Sequence, residues 1–470
     1  MAVLTVPKPT RTQYEMTQPD RYRLVLLNDA GTHVLLFRKD GYYLLPQIDI
    51  PQFTRPAEQI TFCVRDLWGF RAILLWAEHQ VDAAPSDYYA VLEVYKCESP
   101  APRGFEWFSI QDAALRINEG DARFLTTGHD RTHAPFGADR APFSRLGCIY
   151  RLQEWIESVV GPLGIELRDF RQLNGGGAFS LILFETNKQP LWYKAVGAPN
   201  LHEFPITLAL ARLFAGHVPT ILSSDSLLNG WLMESAGTLT LSEVEDLNIW
   251  KRTLQQLATL QVASIPQTSK ILDKGCRDLR LKELITFIDP FFDVMACLMT
   301  QQTKVSPAPL TRTELSEVAL KVHDALCWLG ELHIPDTLGH RDVNPRNVLV
   351  DEGHVVFIDW AEAFVGPPLC TFEYLMAHWR KSSTYDPCQE ALLRTAYTEP
   401  WLAVVPRDPL EAAMQLSPLI AIYAYAAAGD SWRDPERLST ARAPAFLRSL
   451  CRTMKRMADA LLERSQSCLR

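Results

Sequence analysis

The sequence lacks the features that mark several common classes of protein. Its 10 cysteines include no CxxC pair, which argues against both a zinc site and a disulfide framework. The longest apolar run, Leu419 to Ala428, is well short of the roughly 20 residues of a membrane helix. The first segment, Met1 to Asp20, has no apolar stretch typical of a secretion signal. We therefore expect a cytoplasmic protein without a membrane partner.

The sequence also lacks an excess of positive charge. Lysine and arginine number 47 against 55 aspartates and glutamates, which gives a formal net charge of −8. Nucleic-acid-binding proteins usually concentrate basic residues on one surface. A nucleic-acid partner is therefore not expected.

Length and composition predict a folded protein of several parts. The chain has 470 residues, of which 47% are hydrophobic and 22% charged. One domain usually takes about 150 residues, and no internal repeat is visible. Residues 119–146 are rich in glycine, proline, histidine and charge, and we interpret them as a linker or surface loop. The predicted division is therefore 1–140, 141–237 and 238–470.

The hydrophobic pattern differs among the three parts. The first has short strand-like runs and one helix, about Pro56 to Leu67. The second opens with strands joined by a glycine turn and a polar turn over Phe170 to Val196, which predicts a small antiparallel sheet. The third has helical periodicity, as in Leu241 to Val262 and Leu310 to Leu332, and is interrupted by strands at Val348 to Ile358.

The interruption carries the densest group of chemically active residues. The segment LGHRDVNPRNVLVDEGHVVFIDW, Leu338 to Trp360, predicts a hairpin that turns near Gly353. Asp342 precedes the hairpin, and Asn347 and Asp359 are expected to face each other at its open end. Two carboxylates and an amide oxygen are hard ligands that suit Mg²⁺ bound together with phosphate oxygens.

These residues match the needs of phosphoryl transfer. The reaction requires a metal that neutralises phosphate charge and a carboxylate that accepts the proton of the attacking hydroxyl. We assign Asp342 as the base, and Asn347 and Asp359 as metal ligands. The alternative is an ordinary polar hairpin with acids near a turn. The compound pattern of His-Arg-Asp, a later Asn, an apolar strand and Asp-Trp favours the catalytic interpretation.

The same segment resembles the catalytic loop and metal-binding aspartate of kinase-like folds. The residues that carry the resemblance are His340, Arg341, Asp342, Asn347 and Asp359. Trp360 follows Asp359 where protein kinases usually have Phe-Gly, which resembles aminoglycoside phosphotransferases and choline kinases instead. Arg346 stands where relatives often have glycine. The resemblance covers about residues 140–470 and implies a phosphotransferase that uses ATP and Mg²⁺ on a small hydroxylated acceptor.

The fold class that the resemblance implies is α+β. It is a protein-kinase-like bilobal fold, with a small antiparallel sheet lobe at 141–237 for ATP binding and a helical lobe at 238–470. Such a fold needs a glycine turn over the phosphates, a lysine on a following strand and a glutamate on a helix. The sequence has candidates for all three.

The candidate phosphate turn contains no large side chain. Its residues are Asn174, Gly175, Gly176 and Gly177. Glycines let backbone N–H groups approach an anion, although a plain hairpin turn is the alternative. Lys194 lies among apolar neighbours in a strand, where an unpaired cation is unfavourable, so it should pair with phosphate and a carboxylate. Glu203 is the candidate carboxylate; the alternative is a helix-start acid that the helix dipole favours.

The resemblance also implies a hinge and a substrate lobe. Gly230 to Gly237 is predicted as a strand that ends in a hinge, with Glu234 and Ala236 at the position that meets adenine in the family. The sequence does not identify the acceptor. Four acids are candidates for a pocket that binds a cationic acceptor: Glu362, Glu373, Asp430 and Asp434.

The first part resembles a Nudix domain, an α/β sandwich. The resemblance rests on Leu44-Leu45-Pro46, the helix at Pro56 to Leu67 and Gly104-Phe105-Glu106-Trp107-Phe108. Nudix hydrolases need paired glutamates on the helix to hold Mg²⁺ against pyrophosphate. This chain has Arg65-Asp66-Leu67-Trp68-Gly69 there, so we expect hydrolase activity to be lost and the domain to be structural or ligand-sensing.

The sequence thus leads to one preferred function and two alternatives. The preferred function is ATP- and Mg²⁺-dependent transfer of the γ-phosphate to a hydroxyl of a small molecule, an aminoglycoside-like antibiotic or a metabolite. One alternative is a nucleotide-binding regulatory scaffold without transfer activity. The other is a Nudix-type pyrophosphohydrolase that acts through the N-terminal domain.

Overall fold

The computed structural model describes residues 19–52, 54–79, 87–96, 101–133, 143–237, 239–351, 353–382 and 385–467, with side chains as far as Leu461. The chain forms two compact units. Unit 1 takes the described residues up to Phe204 together with Thr220–Ser235. Unit 2 takes Pro205–Pro219 and the described residues from Ala236 onward. The finer division into three domains stays a prediction.

Unit 1 begins with a mixed sheet and its helices. The strands are β1 (Asp20–Leu27), β2 (His33–Lys39), β3 (Tyr42–Leu44), β4 (Gln47–Ile50), β5 (Ala72–His79), β6 (Asp87–Val94) and β7 (Phe105–Ser109). The helices are α1 (Pro56–Trp68), α2 (Ile110–Ala114), α3 (Glu119–His133) and α4 (Cys148–Val160). The sheet order is β3-β2-β1-β6-β5, with β4 paired to β1 and β7 paired to β2. Strands β1 and β6 are parallel.

Both faces of this sheet are buried, which explains why β1 is apolar over its last four residues. Because side chains alternate along a strand, Leu24 and Leu26 face one side and Val25 and Leu27 the other. The first pair packs against the buried face of α1. The second pair belongs to a cluster that includes residues of α3 and α4. The Nudix resemblance of this part stays a prediction.

Residues 119–133 form helix α3, so the predicted linker over 119–146 is wrong there. Asn118 precedes the helix, and its Oδ1 accepts the Asp121 N–H at 3.0 Å, a helix-capping contact. Asp121 is buried, and it accepts hydrogen bonds from Arg23 at 2.8 Å and Tyr89 at 2.7 Å. A buried ion pair stands where an apolar residue would have completed the helical period. Residues 134–142 of the predicted linker lie outside the described residues.

A second sheet in unit 1 is antiparallel, as the sequence predicts. Its strands are β8 (Leu167–Asn174), β9 (Phe179–Thr186), β10 (Leu191–Val196), β11 (Ile221–Asp225) and β12 (Gly230–Glu234). The order is β11-β12-β10-β9-β8, which leaves β8 at an edge. Helix α5 (Glu203–Leu213) follows β10. One hydrophobic cluster joins the two sheets through α4, from Val25 and Leu75 to Phe184 and Tyr193.

Unit 2 is mainly helical. Its helices are α6 (Leu247–Ser264), α7 (Thr268–Leu272), α8 (Leu281–Thr286), α9 (Ile288–Thr300), α10 (Arg312–Glu331), α11 (Pro368–Trp379), α12 (Pro387–Thr398), α13 (Arg407–Ala428), α14 (Pro435–Ser439) and α15 (Arg442–Ser467). Its strands are β13 (Leu239–Thr240), β14 (Arg277–Asp278), β15 (Thr337–His340), β16 (Val348–Val350), β17 (Val355–Phe357) and β18 (Ala363–Gly366).

The helices of unit 2 form where apolar residues recur at helical spacing. Helix α10 buries Leu315, Val318, Val322 and Leu326 on one face, and it starts at a Thr311–Glu314 capping box. These buried faces meet in a single large core that also holds the strands β16, β17 and β18. In the described part of the chain, no helix is both long and apolar enough to cross a membrane.

Candidate active site

The loop between β15 and β16 is the centre of the candidate site in unit 2. Strands β16 and β17 form the predicted hairpin, with Val348 opposite Phe357. The Ile358 N–H donates to the Asn347 carbonyl at 3.0 Å, so Asn347 is level with Ile358 and Asp359 comes one residue later. The hairpin forms as predicted. At its open end Asn347 is opposite Ile358, whereas the prediction placed it opposite Asp359.

The carboxylate of Asp342 is oriented by two amides. The Asn344 Nδ2 donates to one carboxylate oxygen at 3.1 Å, and the Asn347 Nδ2 donates to the other at 3.2 Å. The Asn347 Nδ2 also donates to the Asp342 carbonyl at 2.9 Å. Asp342 itself is exposed, so the oriented carboxylate is open to solvent and to an incoming molecule. Asn344 was not among the predicted site residues, because a side-chain contact across a loop leaves no periodic signal.

His340 is a buried residue that precedes this loop and hydrogen-bonds to two other segments of unit 2. It is 1% exposed, and its Nε2–H donates to the Ile358 carbonyl at 2.9 Å. Its backbone N–H donates to the Thr371 hydroxyl at 3.0 Å. Burial lowers the pKa of His340, so the ring is held neutral. These contacts hold the residue next to Asp359 in place, which is a positioning role.

Asp359 has a left-handed backbone conformation, with φ 65° and ψ 64°. Aspartate tolerates this region better than most residues, yet the conformation still costs about 1–3 kcal/mol. Such strain persists where the surrounding structure fixes it, and it is frequent at functional positions. Here the fixing contacts are the Asn347–Ile358 pair and the His340 bond described above.

The donor set of this loop suits Mg²⁺ shared with a phosphate. The amide nitrogen of Asn347 is directed to Asp342, which leaves its Oδ1 as the atom that can face a cation. Among the residues that the structure describes, no group of three or more His, Cys, Asp or Glu side chains is placed to hold a metal by itself. Mg²⁺ commonly binds through one or two carboxylates and completes its shell with water and phosphate oxygens. Asn347 and Asp359 fit that use.

The candidate lysine pair is buried in unit 1. Lys194 on β10 lies 2.5 Å from the Glu203 carboxylate, and the two side chains are only 10% and 2% exposed. Glu203 is the first residue of α5, as predicted. The aromatic rings of Phe179 and Trp231 lie 5.5 and 5.8 Å from the Lys194 Nζ. The structure thus joins the two residues, as the sequence analysis expects of a functional pair.

The glycine turn joins β8 to β9 in unit 1. Gly176 has φ 141°, a conformation that other residues rarely adopt. At Gly175, a Cβ atom would lie 2.5 Å from the Gln172 Nε2 and 3.0 Å from the Leu74 carbonyl oxygen. Gly177 has open space around it. Two of the three glycines are therefore required by backbone conformation or by close packing.

The predicted hinge lies where the chain passes from unit 1 to unit 2. Glu234 ends β12 and is opposite Leu191 of β10, and its N–H donates to the Thr220 carbonyl at 3.0 Å. Ser235 is the last residue of unit 1, and Ala236 is the first of the segment that follows in unit 2. The hinge residues are where the sequence predicted them; contact with adenine stays a prediction.

The four acids proposed for a cationic acceptor have partners in the fold. Glu362 accepts from the Arg341 Nε at 2.9 Å, and Asp430 pairs with Arg277 at 3.1 Å. Glu373 is 5% exposed and accepts from Arg380 and from the Ser417 hydroxyl. Asp434 caps helix α14. Arginine or backbone N–H groups therefore satisfy these carboxylates, a pairing that sequence spacing did not reveal.

Residues 201–414 match the family model described as the phosphotransferase enzyme family. This region of the chain is similar to that family. The matched region includes Glu203, the hinge residues, Asp342, Asn347 and Asp359. Lys194 and the glycine turn lie before it. No curated protein matches the chain.

Several solved structures are similar to this chain at low identity. A macrolide 2'-phosphotransferase from Brachybacterium faecium is 13% identical, with 64% of this chain and 98% of that chain covered and a TM-score of 0.41. An ethanolamine kinase from Plasmodium vivax is 13% identical, with 73% and 97% covered and a TM-score of 0.46. A spectinomycin phosphotransferase solved with ADP and spectinomycin is 13% identical, with 66% and 98% covered and a TM-score of 0.40. These names describe those proteins and assign no acceptor to this one.

Proposed function

We propose that this protein is an ATP- and Mg²⁺-dependent phosphotransferase that moves the γ-phosphate to a hydroxyl of a small molecule. The observation that carries the proposal is the loop before β16, which lies inside the matched phosphotransferase domain. Its Asp342 carboxylate is exposed and held by two amides, and Asp359, which follows the hairpin, has a left-handed backbone conformation. An ordinary polar hairpin has no need of this orientation or this strain.

In the proposed reaction, Asp342 receives the acceptor hydroxyl. Asn344 and Asn347 fix the carboxylate, so that its free lone pairs accept the hydroxyl proton as the oxygen attacks phosphorus. Positioning of this kind supplies much of the catalysis of phosphoryl transfer, because the protein forms no covalent bond in the reaction. Mg²⁺, held by Asn347 and Asp359, would supply neutralisation of phosphate charge.

The nucleotide is assigned to residues of unit 1 and of the hinge. The backbone N–H groups of Asn174 to Gly177 would hold a phosphate, and the Lys194 ammonium, oriented by Glu203, would bind a second phosphate oxygen. The hinge residues Glu234 and Ala236 would meet adenine through their backbone. Burial makes an uncompensated lysine costly; Glu203 compensates Lys194, and we propose a phosphate as its second anionic partner.

For the acceptor, we propose a small hydroxylated metabolite or antibiotic of low positive charge. Three of the four acids considered for binding a cation are paired with arginines: Glu362 with Arg341, Glu373 with Arg380, and Asp430 with Arg277. An acid that already has an arginine partner attracts an added cation weakly. Sugars and nucleosides therefore rank above amino alcohols and polycationic aminoglycosides as candidate acceptors.

The test is ATP consumption with Mg²⁺ across a panel of sugars, macrolides, nucleosides, amino alcohols and aminoglycosides. Asp342→Ala should reduce turnover on any accepted substrate by about 10²- to 10⁴-fold, with nucleotide affinity largely kept. Asp324→Ala, which removes an exposed acid of α10, is the control and should keep full turnover. Equal turnover in the Asp342 variant and the wild type would refute the assignment of the base.

Two other outcomes would favour the alternative functions. Nucleotide binding without ATP consumption on any acceptor would support a regulatory scaffold. Release of a nucleoside monophosphate by the full chain, lost in Glu58→Gln, would support a pyrophosphohydrolase.

A further inference from the structure

Unit 1 contains a cavity that the proposed reaction does not use. It has a volume of about 470 Å³, within the range of about 300–1,000 Å³ typical of small-molecule sites. One wall is the outer face of α1, with Glu58, Phe62 and Arg65, and the other is the edge strand β8, with Phe170, Arg171 and Gln172. The cavity therefore lies where the N-terminal sheet domain meets the second sheet.

The charges around this cavity are unequally paired. Arg65 and Arg71 share the carboxylate of Asp169, Arg65 at 3.4 Å and Arg71 in closer contact. Arg171 does not take part in this pairing. Its Nε is buried and has no hydrogen-bond partner among the described residues. Glu58 supplies the one carboxylate of the lining. Arg171 is only partly buried, and an anion at its guanidinium group would balance a charge that has no carboxylate partner among the described residues.

The lining also offers apolar surface. Phe62 is 63% exposed, so its ring is accessible to a ligand in the cavity. Phe170 lies on the opposite wall, and the Arg71 guanidinium is 4.9 Å from its ring centroid. A ligand with one anionic group and one flat apolar part would satisfy Arg171 and cover Phe62 at the same time.

We propose that this cavity between α1 and β8 binds a small anionic molecule with an apolar part, and that its occupancy changes the affinity of the glycine turn for nucleotide. The proposed binding site does not depend on the proposed function, whereas the effect on nucleotide affinity rests on it.

The coupling follows from Gln172, which belongs to both structures. Its side chain lines the cavity, accepts from the Leu74 N–H at 2.7 Å and donates to the Leu74 carbonyl at 3.0 Å. Gly175 is packed against the same amide and the same carbonyl. Gln172 is thus part of the cavity wall, and its contact with Leu74 supports the glycine turn. A ligand that moves or stiffens this contact changes the turn.

The binding test uses phenyl phosphate as the probe, with inorganic phosphate and benzyl alcohol as probes that keep only one of its two parts. Calorimetric titration of the full chain should give the tightest binding with phenyl phosphate. In Arg171→Met its affinity should fall about tenfold or more, because the charged donor is gone. Arg168→Met removes an exposed arginine of the same strand and should bind like the wild type. Phe62→Glu, an exposed substitution that the fold should accept, should also weaken binding.

The outcomes separate the two parts of the inference. Equal binding by the wild type and both Arg171→Met and Phe62→Glu would overturn the site, and benzyl alcohol binding as tightly as phenyl phosphate would overturn its anionic ligand. For the coupling, the affinity for Mg-ADP should change by about fivefold or more with saturating phenyl phosphate, and reciprocally. An unchanged Mg-ADP affinity would overturn the coupling. If Mg-ADP does not bind at all, the proposed function fails while the phenyl phosphate titration still tests the site.

Discussion

Glu93 on β6 is a buried acid whose ionised form is disfavoured in the folded protein. Its side chain is 0% exposed; Oε2 accepts the Gly147 N–H at 2.9 Å, and Oε1 has no hydrogen-bond partner among the described residues. Burial raises the pKa of Glu93 to about 7. The carboxyl is thus protonated in the folded protein over a range of pH in which the unfolded chain has released the proton.

This difference predicts how stability depends on pH. The contribution of Glu93 to the free energy of unfolding is fully present below its ordinary pKa of 4.5. It is lost as pH rises to about 7, because only the folded state binds the proton between these two values. The loss is at most about 3 kcal/mol. Urea unfolding at about pH 5 and about pH 8 measures it. Glu93→Gln should flatten this part of the profile, whereas Glu119→Gln, an exposed acid, should not. A profile that Glu93→Gln leaves unchanged contradicts the assignment.

The Lys194–Glu203 pair predicts a non-additive effect on stability. Lys194→Met leaves the Glu203 carboxylate, 2% exposed, without its cation, and should cost about 3–5 kcal/mol. The double variant Lys194→Met with Glu203→Leu removes both charges and should recover much of that loss. Unfolding free energies of the two single variants and the double variant measure the coupling. Costs that simply add would show that the pair is not a coupled buried unit.

At the scale of elements, we expect the glycine turn to depend on its packing against Leu74 of the N-terminal sheet for stability and for nucleotide affinity. Gly175→Ala places a methyl group against the Gln172 amide and the Leu74 carbonyl, so it should destabilise the protein by about 1–3 kcal/mol and weaken Mg-ADP binding. Gly161→Ala, at the end of α4, meets nothing within 4 Å, has φ −55° and is the matched control. Thermal unfolding and Mg-ADP titration of both variants measure the effect. Equal behaviour of the two variants would contradict the close packing at Gly175.

The elements that the sequence predicted well have local causes. The hairpin β16–β17, helix α10 and the sheet β8–β10 follow from turn residues, a capping box and apolar periodicity. Helix α3 was missed because Asp121 occupies a buried position through bonds to Arg23 and Tyr89, which lie far away in sequence. The same reason hid the Arg341–Glu362 pair and the contact of Gln172 with Leu74. Spacing along the chain carries no information about such partners.

For the whole molecule, the main consequence of the fold is that the N-terminal sheet is not an independent body in unit 1. One core runs from Val25 and Leu75 through α4 to Phe184. Tyr95 of the first part contacts Phe170 of the second at 5.3 Å between ring centroids. A hydrolase test on residues 1–140 alone would therefore expose part of this core. The full chain with Glu58→Gln is the better comparison.

The shared core predicts the behaviour of a truncated protein. A fragment of residues 141–470 keeps the glycine turn, Lys194 and Asp342, but it loses the side chains that cover α4 and β8. Removal of that apolar cover, together with the Gln172–Leu74 bonds, should leave a fragment that aggregates or unfolds at a Tm clearly below that of the full chain. Size-exclusion chromatography and thermal unfolding beside the full chain measure both effects. A monomeric fragment with an unchanged Tm and unchanged Mg-ADP affinity would show that residues 141–470 fold alone and that the N-terminal sheet contributes no stability to the proposed nucleotide site.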